Sequence, residues 1–289
     1  MIHETELENR ISSLRAEIRR LRKSLAEKTS PLPAMLKRRG FKIYRQGPPD
    51  DLLLPGERFI EDYYRYLQRY SFRLFLRDVI KHQKTFSLKD VTRYAAADVT
   101  KGYVDFLLAL GLLEEEVDSY SLKKRPIKSF GPTLEWFLSE IFKREFGAET
   151  IWGTKFKRPV VGGDYDLIAK IDGSLLYMEV KSSPPKQIYA SEISAFLDRT
   201  VDLAPEIAVF FMDTELRMKD KIVPMFEEDL RKRPPDELPV FAAGGGLLSV
   251  DRIKKELFHI HNKIFIINAK DSIVNNLEEV LSRYFRRVK

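Results

Sequence analysis

Two carboxylates and one lysine are spaced so that a single tight hairpin would bring them together. Asp166 begins one apolar run, Asp172-Gly173 follows it, and Glu179 and Lys181 end the next apolar run. An Asp-Gly pair between two such runs is a strong hairpin signal. Because side chains alternate along a strand, Glu179 and Lys181 point to one face, and the antiparallel return brings Asp166 beside them. The sequence therefore predicts a charged cluster on this hairpin.

The segments around the hairpin predict an α/β unit. Apolar periodicity and turn residues indicate a helix over 133–146, strands over 150–156, 164–171 and 175–180, a helix over 188–201 and a strand over 207–212. Further along we expect a helix over 215–233, a strand over 240–243, a helix over 250–259, a strand over 264–268 and a last helix over 272–287. The predicted order is an αβββαβ core with a C-terminal α/β extension that covers the sheet.

This arrangement resembles the PD-(D/E)xK, restriction-endonuclease-like nucleases, whose signature is an acidic residue, a hairpin turn and then Glu/Asp-x-Lys. The similarity spans about 133–213 and is as close to methyl-directed type IV restriction nucleases as to archaeal Holliday-junction resolvases. It implies hydrolysis of phosphodiester bonds in nucleic acid, most simply DNA, in restriction, defence or repair. It also implies Mg²⁺, or Mn²⁺ in its place, bound by Asp166, Glu179 and the Val180 carbonyl, with Lys181 orienting a water or stabilising charge.

Four more residues receive roles from the resemblance and from their positions. Glu135, on the helix before the hairpin, matches the place of a further catalytic and metal-binding acid in the family. Asp164 shares the face of Asp166 and is expected to be a supporting acceptor beside the metal ligands. Lys186 and Gln187 open the next helix, where long donors and the positive helix end suit a phosphate. A surface hairpin with an adventitious Glu-x-Lys, or a nuclease fold without chemistry, remains the alternative for the whole cluster.

Composition excludes several kinds of site. The chain has no cysteine, which rules out disulfides, thiolate zinc sites and a cysteine nucleophile. Its 4 histidines do not stand near acidic residues at ligand spacing, so carboxylate chemistry with hard cations is favoured. A net charge of +7 is compatible with a nucleic-acid partner. Without an apolar membrane segment or secretory signal, we expect a cytoplasmic protein that has no contact with a membrane.

The N-terminus has the heptad spacing of a coiled coil. Apolar residues recur at alternating steps of four and three, at Leu7, Ile11, Leu14, Ile18, Leu21 and Leu25. Residues 1–28 are thus either a dimerisation arm or one amphipathic helix packed on its own globular body. A homodimer is expected, because cutting both strands of a duplex is most simply done by two paired sites. The prolines and glycine of 29–56 predict a linker that follows this helix.

Residues 57–130 resemble a winged helix-turn-helix domain, and 131–289 form the nuclease-like domain. Ser87 and Asp98 are predicted N-caps of helices over 88–96 and 99–110, Gly111 ends the last helix, and Asp118-Ser119 turns a two-stranded ribbon. The last helix would be the recognition helix, offering Thr100, Lys101 and Tyr103 to DNA. Because Asp105 and Glu114–Glu116 would repel phosphate, a winged helix used for protein contact stays open. A separate alternative for the whole chain is a non-catalytic winged-helix DNA-binding regulator or scaffold with an inactive nuclease fold.

Overall fold

A computed structural model describes residues 10, 11, 13–18, 20, 21, 31–46, 52–157, 161–234, 237 and 249–287. The strand predicted over 240–243 and the two ends of the heptad pattern, Leu7 and Leu25, lie outside these residues. Within the described ranges, no helix is long and apolar enough to cross a bilayer.

The strands form one large mixed sheet and one small ribbon. They are β1 Ile43–Arg45, β2 Leu113–Glu116, β3 Ser119–Leu122, β4 Glu149–Phe156, β5 Tyr165–Ile171, β6 Ser174–Lys181, β7 Ile207–Met212, β8 Asp251–Lys254, β9 Leu257–Ile260 and β10 Ile264–Asn268. The sheet order is β1-β4-β5-β6-β7-β10-β9-β8, and β2 pairs with β3. β7 is parallel to both β6 and β10, and the other neighbours are antiparallel. The predicted strand 207–212 and the strand 264–268 are both found at those bounds.

Helices cover both faces of this sheet. They are α1 Leu32–Arg38, α2 Ile60–Leu67, α3 Tyr70–Lys81, α4 Leu88–Val91, α5 Ala97–Ala109, α6 Gly131–Glu145, α7 Ala190–Leu203, α8 Ile222–Lys232 and α9 Ile273–Arg287. On one face, a single buried cluster joins α6 and α9 to α2–α5 and the ribbon. On the other face, a second cluster joins α1, α7 and α8. The order α6-β4-β5-β6-α7-β7 is the predicted αβββαβ order.

The N-terminal unit has the predicted succession of helices and a ribbon, with shifted boundaries. Ser87 does begin a helix, because its N–H and hydroxyl both donate to Asp90 at 2.7 and 2.9 Å. That helix, however, ends at Val91. α5 begins at Ala97, so Asp98 lies in its first turn and is not its cap. Gly111 and Asp118 adopt φ of +68° and +58° where the chain turns, as glycine and aspartate readily do.

Residues 31–46 are part of the folded body, which corrects the prediction of a linker there. Pro31 is the residue before α1 and Pro33 lies in its first turn, where the fixed φ of proline suits a helix start. Leu32 and Leu36 are fully buried in the α7 face of the core. β1 then pairs with the edge strand β4. The prolines therefore begin an element that closes one side of the sheet.

The helix predicted over 250–259 is wrong, because these residues form the β8–β9 hairpin. Lys255 takes a φ of +43° at its turn, and β9 pairs with β10 through His259 and Phe265. All four residues of β9 are buried, which suits a strand covered on both faces more than an amphipathic helix. The helix predicted over 215–233 is also shorter than expected, since α8 begins at Ile222.

Candidate active site

The β5–β6 hairpin brings the predicted carboxylates together on one sheet face. Asp172 and Gly173 adopt φ of +47° and +82° at its turn, as a type I′ turn requires. The register pairs Leu167 with Met178, which sets Asp166 opposite Glu179 at the next step. Asp166 Oδ2 accepts a hydrogen bond of 2.7 Å from the Val180 N–H. Asp166 and Glu179 therefore share a face at the end of the hairpin away from its turn.

Lys181 lies between two carboxylates on that face. Its Nζ is 3.0 Å from Glu179 Oε1 and 3.0 Å from Glu192 Oε1, and 18% of its side chain is exposed. Glu192 is fixed at the start of α7, because its other oxygen accepts a 2.9 Å bond from the Tyr189 N–H. Burial opposes the charge of Lys181, but Glu179 and Glu192 outweigh it and raise the pKa of this lysine. Lys181 is thus a cation at the border between the buried cluster and solvent.

Arg199 and Tyr177 complete the cluster from within the core. Arg199 Nη2 donates to both oxygens of Glu179 at 2.8 Å, and its Nε donates to the Tyr177 hydroxyl at 2.8 Å. Tyr177 in turn donates to Glu179 Oε2. Only 2% of Glu179 is exposed, and a buried carboxylate needs such donors. Gly163, with a φ of +102°, makes room for this guanidinium, since a Cβ there would lie 3.0 Å from Arg199 Nη1.

The sequence analysis missed Arg199, Tyr177 and Glu192. Tyr177 precedes Glu179 by two residues, so strand alternation alone sets it on the same face. Glu192 and Arg199 are seven residues apart on α7, which sets them on one side of that helix. The signal was therefore available in the spacing. What the spacing leaves open is which side of α7 faces β6.

Asp166 differs from Glu179 in its surroundings. Burial, and then the nearby charge of Glu179, raise the pKa of Asp166 well above its ordinary value, although the Val180 N–H and the cations Lys181 and Arg199 oppose this. Among the described residues, the structure gives Asp166 Oδ1 no hydrogen bond. Two close carboxylates, one of them without a cationic partner of its own, are a place where added positive charge is favourable.

The donor set of this site fits a divalent cation in its chemistry. Because the N–H of Val180 points to Asp166, its carbonyl also points to the β5 side of the strand. Asp166, Glu179 and this carbonyl are oxygen ligands, which Mg²⁺ prefers. Within the described part of the chain, no three acidic or histidine side chains form a ready metal cluster. A cation here would therefore use two carboxylates and a carbonyl, and Arg199 would have to share Glu179 with it.

Glu135 and Asp164 do not join the pair of carboxylates. Glu135 lies on α6, whose buried side chains pack against the opposite face of the sheet. The third carboxylate predicted beside Asp166 and Glu179 is thus absent from the described cluster. Asp164 forms an ion pair of 2.8 Å with Lys155 on β4 and is 46% exposed. Its carboxylate is directed to the neighbouring strand.

Lys186 and Gln187 lie in a short 3₁₀ turn before α7, not in the first turn of that helix. Both are exposed, and the Lys186 carbonyl accepts a 2.8 Å bond from Lys221 Nζ. The prediction that they open the next helix is therefore wrong, and their binding of a phosphate stays a prediction.

The predicted recognition helix does not present its predicted contacts. Thr100 is fully buried and donates to the Ala96 carbonyl at 3.1 Å. Tyr103 is buried among aromatic rings, and its hydroxyl is 2.8 Å from Ser71 Oγ. Lys101 is exposed but paired with Asp105. The prediction that Thr100 and Tyr103 reach DNA is therefore wrong, because both point into the core of the unit.

No protein-family model and no curated protein matches the chain. One similar solved structure is Can2 from Sulfobacillus thermosulfidooxidans in complex with cyclic tetra-adenylate, with a TM-score of 0.47, 12% identity, and coverage of 88% of this chain and 60% of Can2. Another is protein VC1899 from Vibrio cholerae, with a TM-score of 0.42, 12% identity, and coverage of 74% and 62%. The chain spans less than two thirds of either protein. At this similarity, its function has to be inferred from its own site.

Proposed function

We propose that this chain is a metal-dependent nuclease of the PD-(D/E)xK kind that hydrolyses phosphodiester bonds. Asp166, Glu179 and Lys181 are its catalytic residues, and 57–130 is a winged helix-turn-helix unit attached to the nuclease fold. The observation that supports this best is that both carboxylates and the lysine lie on one sheet face, next to the Val180 carbonyl, which points to the β5 side of the strand. Burying this much charge costs free energy even when the charges are paired. Such a cluster is therefore better explained by binding or catalysis than by stability.

Each residue has a distinct task in this reaction. Asp166, Glu179 and the Val180 carbonyl would hold Mg²⁺ or Mn²⁺. The bound cation would supply a Lewis acid that neutralises the scissile phosphate and acidifies an attacking water. Lys181, at the solvent border, donates hydrogen bonds to that water or to the developing charge on phosphate. Arg199 and Tyr177 hold Glu179 in one orientation by bonding both of its oxygens. Glu192 keeps Lys181 extended toward the site.

A second candidate function is nucleic-acid binding without cleavage. It is favoured by the Arg199–Glu179 pair, because a guanidinium already neutralises the carboxylate that a metal would need. The chain would then be a regulator or scaffold that kept the shape of a nuclease. Calorimetric titration of the wild type with Mn²⁺ separates the two functions. Stoichiometric binding that Asp166→Asn removes supports the nuclease, and absence of binding supports the scaffold.

Cleavage assays test the proposal directly. The purified chain is incubated with supercoiled plasmid, linear duplex, single-stranded DNA and RNA, each with Mg²⁺, Mn²⁺ or EDTA. We expect metal-dependent cleavage, most simply of double-stranded DNA. Asp166→Asn, Glu179→Gln and Lys181→Ala should each lower its rate by about 100-fold or more, because each removes a group that contacts the cation or the reacting phosphate.

Asp164→Asn is the matched control, because Asp164 is two residues from Asp166 but pairs with Lys155. We expect a smaller loss in this variant than in Asp166→Asn. Full activity in Asp166→Asn, Glu179→Gln or Lys181→Ala would refute the site. A wild type that binds nucleic acid but cuts none of the four substrates would favour the scaffold.

A further inference from the structure

Two basic segments of the N-terminal unit meet around one concavity. Lys81, Lys84 and Arg125 line a hollow of about 460 Å³, and the exposed Lys123 and Lys128 flank it in the sequence. We refer to these five residues as the basic surface. It lies where α3 ends and where the chain leaves β3 for α6.

Hydrogen bonds fix the two segments against each other. Gln83 Nε2 donates to the Ile127 carbonyl at 2.9 Å, and Gln83 Oε1 accepts from the Ile127 N–H at 2.7 Å. The Gln83 carbonyl also accepts from the Leu122 N–H at 2.9 Å. Arg125 Nη1 donates to the Lys84 carbonyl at 3.2 Å. The backbone that carries the cations is thus already fixed before a ligand binds, so only the side chains have to be ordered.

The basic surface is not neutralised within the described residues. None of its five cations forms an ion pair with a carboxylate there, whereas Lys101, Lys232 and Lys255 each have one. Asp78, three residues before Lys81 on the same helix, has a buried Oδ2 that forms no hydrogen bond among the described residues. These exposed cations therefore have no carboxylate partner among the described residues, and unpaired positive charge of this kind suits the binding of phosphate.

Another part of the unit, formed by α5 and β2, carries exposed acidic side chains, of which Asp105 is paired with Lys101. The exposed side chains of α5 and β2 include Asp98, Asp105 and Glu114–Glu116. Such a surface repels a phosphate backbone. Nucleic acid that approaches this unit is therefore directed away from α5 and the ribbon, toward the basic surface.

α3 connects the basic surface to the candidate active site. Arg73 and Arg77 on this helix bond the buried Asp213, whose N–H donates to the Lys181 carbonyl at 2.8 Å. Lys81 is one helical turn after Arg77, about 6 Å along the axis. The basic surface is thus linked through α3 and Asp213 to the end of β6 that carries Lys181, although α3 packs on the other face of the sheet.

We propose that the basic surface binds the phosphate backbone of nucleic acid and so contributes to the affinity of the protein for its substrate. Its link to cleavage rests on the proposed nuclease function, but the binding itself does not. Contacts of this kind act on the backbone, so the binding is independent of base sequence and weakens steeply with salt. Recognition by the α5 helix plays no part in it.

The test compares two triple variants of the full chain with equal loss of charge. Lys81→Ala/Lys84→Ala/Arg125→Ala removes the cations that line the hollow, and Lys232→Ala/Lys254→Ala/Lys255→Ala removes three cations that are paired elsewhere. Fluorescence anisotropy with a labelled duplex and a labelled single strand is measured in EDTA over a range of salt concentrations. Removal of three phosphate contacts should reduce the slope of log K against log salt by about 2–3 and weaken binding at least 10-fold.

The control variant should bind as the wild type does, and Lys81→Arg/Lys84→Arg should retain binding because it keeps the charge. Equal affinities and slopes in both triple variants would overturn the proposal, as would a wild type without affinity for either ligand. Because EDTA excludes catalysis, failure of the nuclease proposal leaves this result intact. Conversely, cleavage with an unchanged KM in the triple variant of the hollow would refute the basic surface alone.

Discussion

At the residue scale, Glu179 depends on Arg199 for a counter-charge in the core. The guanidinium bonds both carboxylate oxygens, and both side chains are nearly buried. Removing one partner of such a pair leaves an uncompensated charge and costs about 3–5 kcal/mol. We therefore predict that Arg199→Gln lowers the free energy of unfolding by this amount in urea denaturation.

The exposed pair Arg217–Asp220 provides the comparison. Arg217→Gln should change stability by less than about 1 kcal/mol, because water screens that pair. The double variant Arg199→Gln/Glu179→Gln should recover part of the loss, since it removes both charges. A loss in Arg199→Gln no larger than that in Arg217→Gln would show that the buried pair does not stabilise the fold.

Asp166 gives a prediction for stability against pH. Because its pKa is raised in the folded state, its contribution to stability is present below the unfolded pKa and is lost as the pH rises through the folded value. Without a divalent cation, Asp166→Asn should therefore raise the Tm at pH 8 and have a smaller effect at pH 5. Mn²⁺ should stabilise the wild type at pH 8 but not the variant.

Thermal denaturation in EDTA and in Mn²⁺ measures both effects. Asp164→Asn is the control, and it should leave the Tm nearly unchanged at both pH values because its carboxylate is largely exposed. A lower Tm of Asp166→Asn at pH 8 in EDTA would contradict the assignment of Asp166 as a metal-binding carboxylate that destabilises the fold when it is ionised without a metal.

At the element scale, the structure shows which patterns determine an element and which do not. Elements with clear apolar periodicity and a turn residue at each end are predicted within two residues, as with α6, β4, β5 and β6. The prediction of a helix over β8 and β9 is wrong, because the periodicity of a short apolar run does not distinguish a strand from a helix. Here the pairing of β9 with β10 stabilises the strand conformation.

The candidate site was predictable to the same extent. Asp166, Glu179 and Lys181 follow from alternation on one hairpin, which is a local property. Arg199 approaches from a helix whose rotation against the sheet depends on packing, and Glu135 lies on a helix whose choice of sheet face no local pattern fixes. Thr100 and Tyr103 were misplaced for a similar reason, since polar and aromatic residues on a helix can face a core when a partner satisfies them.

The attachment of α3 to β7 gives a prediction at this scale. Asp213 is fully buried and binds Arg73 and Arg77, and its N–H binds the strand that ends in Lys181. We predict that Asp213→Asn lowers stability by about 3–5 kcal/mol, because Arg73 is left buried without its counter-charge. Cleavage should also slow, because without these ion pairs the backbone of residue 213, which bonds the end of β6, is held less firmly.

Urea denaturation and single-turnover cleavage measure these two effects. Asp220→Asn removes an exposed carboxylate and should leave both unchanged. If Asp213→Asn unfolds with the stability of the wild type, the ion pairs do not connect the N-terminal unit to the sheet.

At the scale of the whole molecule, the heptad helix is the means by which two copies could pair. Ile11, Leu14, Ile18 and Leu21 lie on helical residues and are 41–57% exposed. These described residues do not pack on the globular body of their own chain, and soluble proteins avoid such apolar rows. We predict a homodimer at micromolar concentration that deletion of residues 1–28 converts to a monomer.

Light scattering gives the mass of each form. Leu14→Glu/Ile18→Glu should also give a monomer, whereas Glu17→Gln, on the same helix, should stay dimeric. A monomeric full-length chain would refute the pairing. A truncated chain that remains dimeric would place the interface elsewhere, with residues 57–130 as the next candidate.

The two outer strands of the sheet determine how far the chain can be shortened. β8 carries charged, exposed side chains at Asp251, Arg252 and Lys254, which discourage a foreign strand from pairing there. β4, in contrast, is shielded only by the three-residue β1. A shortened chain that starts after Arg45 lacks β1, so the hydrogen-bonding groups of β4 become exposed and the protein is expected to aggregate. A shortened chain that starts before Leu32 keeps β1 paired with β4.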